Sequence, residues 1–365
     1  MPRPIEAVGT ATAGFVGQAP GSPVNFPVKL SHFGDYEREF GPLAQDVPLG
    51  YAVRQFFDNG GKEAHVVRID GDASKLIASQ SDRTGIYALD LVDVLNIVVL
   101  TGEEVDVTAQ AAAIAYCERR RAFMIGDIPQ AITTVSAAEA WIRSLPAALQ
   151  SSNAAFYFPS VRAADPSMNG VVRAFPVAGA IAGLYARTDA TRGVWKAPAG
   201  AEAKILGIDG LSVHVGDRGN AKLNSLGLNC LRTFPTQGTV CWGARTARGA
   251  DNLADEFKYV PVRRLALFLE ESISRGTQWV ASKPNGEPLW TEIRESIAAF
   301  MHSLFKQGAF AGVKPDEAYF VKCDAATTSQ NHIDDGRVNI EIGFAPLKRS
   351  EFIILRIQQI VGGTG

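Results

Sequence analysis

The side chains that could do chemistry follow apolar runs. Asp127 follows "AFMIG" (122–126), Ser160 and Arg162 follow "AAFYFP" (154–159), and Thr101 to Glu104 follow "VLNIVVL" (94–100). If those runs are parallel strands, these residues stand at the strands' carboxyl ends, in the crevice where open α/β sheets bind ligands. There Asp127 would act as a metal ligand or general base, and Ser160 as the hydroxyl of a hydrolase-like site. An aspartate after a strand has a second and commoner use, as a turn or helix-cap residue. No GxGxxG follows a strand, "NGGKEAH" (59–65) is not a GxxxxGK[ST] loop, and GxSxG is absent. Those gaps count against nucleotide and acyl-transfer chemistry. His32, His65, His214, His302 and His332 stand singly, without HxH or HExxH spacing, and "DGDAS" (70–74) lacks the other ligands of a calcium loop. No catalytic residue, cofactor or metal is expected, with an α/β hydrolase using the Asp127/Ser160 crevice as the alternative.

A second cluster carries charge instead. "YARTDATRGVWKAPAG" (185–200) reads as a loop holding Arg187, Asp189, Arg192, Trp195 and Lys196. Opposed charges beside an aromatic are enriched where proteins grip one another. The segment has no histidine, cysteine or glutamate to tune as acid or nucleophile. It is either a salt-bridged internal loop or a contact surface.

The elements that position these residues alternate between apolar runs and amphipathic stretches, the pattern of parallel strands joined by crossover helices. Strands are predicted at 94–100, 122–126 and 154–159, with helices at 108–121 and 136–150, the second opened by a Ser136/Glu139 capping box. A further helix starts at Pro176 and runs through "VAGAIAGLYA", whose small residues allow close packing. Upstream, "AGFVG" (13–17), "FPVKL" (26–30) and "EAHVVRI" (63–69) read as strands, and "SHFGDYEREFG" and "LGYAVRQFFDNGG" as helices. Beyond about Gly243 two amphipathic helices appear, one carrying Val262, Leu265, Leu269 and Ile273, the other Trp290, Ile293, Ile297, Phe300 and Leu304. Strands at 318–324 and 337–346 follow. The fold class is thus an α/β domain with a mainly parallel sheet and crossover helices, plus a C-terminal α+β domain. "EFIILRIQQI" (351–360) is a long apolar strand pattern, a pairing hazard unless its edge is covered, and it reads as a strand meant for another chain.

Composition narrows the function. The chain has 365 residues, 46% hydrophobic and 20% charged, which suits two globular domains. Its 36 basic and 38 acidic side chains give a formal charge of −2, without the basic surplus that sequence-independent nucleic-acid binding needs. Cys117, Cys230, Cys241 and Cys323 form no CxxC pair and read as buried thiols. No run is long and apolar enough to span a bilayer, so no membrane insertion is expected.

Taken together, "TATAGFVG" (10–17), 49–69, 185–200, "WGARTA" (242–247), 259–280, "LFKQGAFAG" (304–312), "FVKCDAATT" (320–328) and "GFAPLKRSEFIILRIQQ" (343–359) resemble the sheath proteins of contractile phage tails and tail-like injection systems. The resemblance implies a non-enzymatic subunit that stacks as hexameric rings in a helical tube around an inner tube, with terminal arms exchanged between subunits, and that contracts to drive the tube through a target envelope. It implies an N-terminal arm (1–20), an outer α/β domain (21–240), an inner α+β domain (241–349) and a C-terminal arm (350–365). The family's "PGVYVEE"-like strand does not precede "PIEAVGT" here, so the N-terminal arm is expected to be short or to start outside this sequence. Inter-subunit contacts are expected from Arg187, Asp189, Arg192, Trp195, Lys196, Glu351, Phe352, Ile354, Leu355 and Ile357. Glu292, Arg294, Glu295 and Lys306 are expected to face the inner tube. Implied partners are further copies of the chain, the inner tube protein, and baseplate and terminator or cap proteins. Assembly is expected in a bacterial cytoplasm, within a phage tail or a particle released on lysis, and the modest size favours the injection apparatus.

Overall fold

The structure, a computed structural model, describes residues 3–21, 23–102, 105–347 and 352–361. The chain forms two compact units, one of Gly9–Arg263 and one of Met1–Val8 with Arg264–Gly365. The boundary expected at 240/241 thus lies further along. The later part of the segment expected as an N-terminal arm is β-strand, Ala13–Gln18, in which Ala13, Phe15 and Val16 are fully buried in the interior of a sheet.

In the larger unit the strands are β1 (Ala13–Gln18), β2 (Pro27–Leu30), β3 (Ala64–Ile69), β4 (Ile97–Leu100), β5 (Phe123–Asp127), β6 (Ala154–Phe158), β7 (Val161–Asp165), β8 (Val171–Phe175), β9 (Gly210–Leu211), β10 (Asn229–Phe234) and β11 (Gly238–Cys241). The helices are α1 (Phe33–Phe40), α2 (Pro48–Asp58), α3 (Val107–Arg120), α4 (Val135–Arg143), α5 (Ala178–Arg192) and α6 (Asp217–Ser225). Among the described residues an eight-stranded sheet runs β11-β10-β6-β5-β4-β1-β3-β2. Its six inner strands pair in parallel, and only the outermost pairs, β2–β3 and β10–β11, are antiparallel. β4 and β6 are buried at every position, as near-continuous apolar runs must be when helices cover both sheet faces. β7, β8 and β9 form a separate antiparallel sheet in the order β8-β7-β9. Its strands read poorly in sequence, since β8 is mostly exposed and β9 has two residues.

Two helix boundaries differ from expectation. α4 is capped by Thr134, whose side chain accepts from Ala137 N at 3.1 Å, because Thr134 holds the extended conformation of a cap. Ser136 lies inside the first turn, and Glu139 pairs with Arg143 and Lys222. α5 begins after Pro176 and continues to Arg192, through half of the segment read as a loop. The breakers in that segment, Gly193, Pro198 and Gly200, all come later, and Gly193 ends the helix at φ 90°. α5 also packs tightly on α2: a Cβ at Gly183 would sit 2.3 Å from the Phe56 carbonyl oxygen, and one at Gly179 the same distance from that of Ala52.

The smaller unit contains the part of α7 (Val260–Gly276) from Arg264 onward, α8 (Glu287–Lys306), α9 (Pro315–Ala318), β12 (Tyr319–Lys322), α10 (Gln330–Asp334), β13 (Arg337–Phe344) and β14 (Ile353–Ile360). Its antiparallel sheet runs β12-β13-β14. β14 alternates, with Ile353, Leu355 and Ile357 buried and Ile354, Arg356 and Gln358 exposed. It pairs with β13 of its own chain from Arg337↔Ile360 to Phe344↔Ile353. The strand read as destined for another chain therefore has a partner at home, which apolar pattern alone cannot reveal. Residues near the start also join this unit. Arg3 N donates to Ser296 Oγ at 2.8 Å, its guanidinium lies 4.5 Å from the Trp279 ring centre, and Val8 N donates to Ser272 Oγ at 3.2 Å.

Candidate functional site

A cleft of about 350 Å³ opens at the carboxyl ends of β4 and β5, lined among others by Tyr51, Thr101, Asp127, Arg173 and Phe175. Asp127 Oδ1 accepts from Val177 N at 2.7 Å and from Ala178 N at 3.1 Å. It therefore serves the cap use, satisfying N–H groups that a helix start leaves without partners. Burial pushes its carboxyl up to about 6, against the pull of those two N–H groups. Ser160 and Arg162 do not line this cleft. The Ser160 carbonyl accepts from Ser212 N at 2.9 Å and that of Arg162 from Asp209 N at 2.7 Å, in the small sheet. Glu103 and Glu104 lie outside the described residues. The Thr101 hydroxyl donates to the Val16 carbonyl, and the Tyr51 hydroxyl to Asp165 Oδ1 at 2.8 Å. Both hydroxyls on the cleft wall are thus committed to the fold. Among the described residues, no three His, Cys, Asp or Glu side chains gather as a metal site.

Arg173 and Asp165 shape one wall. Asp165 is fully buried, and burial alone would raise its pKa; the Tyr51 hydroxyl, the Arg173 guanidinium and Ser167 outweigh that and hold it at about 2. Arg173 Nε donates to Asp165 Oδ2 at 2.5 Å, and its guanidinium lies 4.2 Å from the Phe175 ring centre and 4.8 Å from that of Tyr51. The wall is a structural ion pair.

Residues 185–200 divide between the two readings. Arg187 is half-buried and donates to the Asn59 carbonyl at 2.9 Å and to the Lys204 carbonyl, so it ties α5 to the end of α2. Asp189 is half-buried, and its carbonyl accepts from Gly193 N at 3.0 Å. Trp195 and Lys196 are also half-buried. Arg192 is exposed and pairs with Glu202. The internal reading describes Arg187, and the surface reading suits Arg192.

In the smaller unit, Glu292 meets Arg3 at 3.2 Å, while Arg294 donates to Glu287 Oε1 at 2.6 Å and to the Cys323 carbonyl. Glu295 and Lys306 are exposed on α8. On the outer face of the sheet, Phe352, Ile354 and Ile360 are exposed, whereas Leu355 and Ile357 point into the chain's own core. Those two cannot touch another subunit while β14 stays on β13. Glu351 lies outside the described residues. The structure adds Phe320, which stands in one cross-strand row with Gly343 and Ile354 and packs against Phe352 at 5.6 Å. The available signal was an aromatic sharing its strand face with Lys322.

Residues 254–360 match the family model of the phage tail sheath C-terminal domain. The tail sheath protein of Vibrio phage KVP40 is 29% identical over 181 residues, which make up 49% of this chain and 26% of that protein. The chain thus spans about a quarter of that curated relative. Solved sheath structures are similar over almost the whole chain. A sheath complex of the extracellular contractile injection system PVC, in the contracted state, is 29% identical with TM-score 0.80, covering 97% of this chain and 93% of that one. The helical sheath of the anti-feeding prophage (AFP), also contracted, is 28% identical with TM-score 0.78, covering 98% and 95%.

Proposed function

We propose that the chain is a tail sheath protein of a contractile injection system, like those it is similar to, that it polymerises as a helical stack of hexameric rings around an inner tube, and that it contracts to drive that tube through a target envelope. The observation that carries this reading is the likeness over 97% of the chain to a sheath in its contracted state. The larger unit forms the outer wall, and the smaller unit, with Glu295 and Lys306 exposed on α8, faces the tube. Subunits are linked by exchange of terminal strands, which supplies main-chain hydrogen bonds at a sheet edge. A head-to-tail contact that does not close into a ring of its own produces a filament. The partners are further copies of this chain, the tube protein, the baseplate and a terminal cap. Assembly takes place in a bacterial cytoplasm, and the finished particle leaves on lysis.

Electron microscopy of the purified chain tests this. The expected result is hollow tubes with six-fold rotational symmetry. A population that stays monomeric at high concentration, alone and with tube protein present, overturns it.

A further inference from the structure

The geometry points to a binding site for a small uncharged amide, a carboxamide or lactam with an apolar body, in the cleft at the carboxyl ends of β4 and β5, held by the side-chain amides of Gln55 and Gln110. The site lies wholly in the larger unit and holds whether or not the chain polymerises.

The cleft stands beside the point where strand order reverses. β3 lies on one side of β1 and β4 on the other, and from β4 the strands continue away through β5 and β6. Connections diverge at such a point, which is why open α/β sheets leave room for a ligand there. A volume of about 350 Å³ falls at the small end of the range for ligand cavities.

Two glutamines on the cleft wall have no task in the fold. Gln110, in the first turn of α3, is only 7% exposed, yet its side-chain amide makes no hydrogen bond with any described residue. Gln55 Oε1, on α2, is buried and likewise without a partner. A buried amide left unsatisfied is a standing cost to folding, and one that faces a cavity regains its bonds when a complementary group enters. Asp127 Oδ2 adds a weakly used acceptor, since it takes only a 3.2 Å bond from Ala178 N while Oδ1 takes the 2.7 Å bond from Val177 N.

The chemistry of the occupant follows from what this wall offers. Gln55 Oε1 and Asp127 Oδ2 accept, so the ligand must donate. The Gln110 amide both donates and accepts, so an accepting atom on the ligand is matched as well. An N–H beside a C=O is the smallest group with both. Among the described lining residues the sole cation is Arg173, which is committed to Asp165, so nothing there offsets the negative charge that phosphates and carboxylates would bring next to Asp127. Val105, Met124 and Ile128 supply apolar surface for the rest of the molecule.

Equilibrium dialysis of radiolabelled benzamide against the purified chain tests the site, and it reads free subunits and polymer alike. The expected result is saturable binding in the millimolar range, about tenfold or more weaker for benzoate, which replaces the amide with an anion, and for toluene, which keeps the ring alone. Gln110→Leu and Gln55→Met should each weaken benzamide binding about tenfold while leaving the thermal midpoint of the empty chain unchanged or raised, because each removes an unsatisfied group rather than a bond. Absence of saturable benzamide binding overturns the inference, as does toluene or benzoate binding as tightly, or benzamide binding unaltered in both variants. A midpoint lowered in both variants means that the amides hold internal water for the fold, and overturns it too. Should a variant prove insoluble, a density map of the wild-type chain with benzamide decides: density against Gln55 and Gln110 upholds the site, and density elsewhere or none overturns it.

Discussion

Asp127, partly buried, and Asp165, fully buried, are two carboxylates set to opposite tasks. Asp127 has an ordinary pKa of 3.8 that burial lifts to about 6. A carboxyl raised on folding favours the native state fully below about pH 4 and loses that contribution as pH rises through about 6, so at neutral pH its charge is a burden. A rise of that size corresponds to roughly 3 kcal/mol at most. Asp127→Asn keeps an oxygen to accept from Val177 and Ala178 and removes the charge. Urea unfolding should therefore show that the variant has lost this component of the stability decline between about pH 4 and pH 6, whereas Asp127→Ala should cost about 1 kcal/mol through the lost cap. Asp165 runs the other way. Held at about 2, it contributes stability above about pH 4 that disappears as pH falls through 2. Asp165→Asn leaves the Arg173 guanidinium without its anion and should cost about 2 kcal/mol at neutral pH, read from the same unfolding curves.

At the scale of elements, the contact between α2 and α5 is the most exacting. At Gly183 an added methyl would meet the backbone of Phe56, which cannot rotate away as a side chain can. Gly183→Ala should thus destabilise the larger unit by about 1–3 kcal/mol despite alanine's better helix propensity, measured as a lower thermal midpoint. The small residues that permit this packing were legible in "VAGAIAGLYA", as were β1, β4, β5, β6, α7 and α8, because strong apolar periodicity is a local property. The end of α5 was misread because charged residues without glycine or proline between Tyr185 and Arg192 extend a helix as readily as they fill a loop. The small β8-β7-β9 sheet was missed because its strands carry too few buried side chains to set a pattern. Asp127 was singled out correctly as a residue with a task, but which task depended on where α5 begins, a tertiary fact.

At the scale of the whole molecule, the proposed assembly would depend on surfaces that contribute little to the fold of the single chain. Arg192 and Glu202 form an exposed pair of the kind usually worth under about 1 kcal/mol. Arg192→Glu should accordingly leave the thermal midpoint of the monomer almost unchanged. If the pair lies on a contact between subunits, the same reversal is repeated at every lattice point and should shorten or abolish tubes in micrographs; unaltered tubes would remove Arg192 from the interface. The cysteines lie on the other side of this division: burial pushes the Cys230, Cys241 and Cys323 thiols up to about 12, so they stay protonated and inert inside the fold. The composition of the smaller unit has one more consequence. Because it draws on Arg3 to Val8 as well as on everything after Arg263, it cannot close during translation until β14 has cleared the ribosome exit tunnel. The larger unit, whose residues are all synthesised earlier, can fold first on the nascent chain.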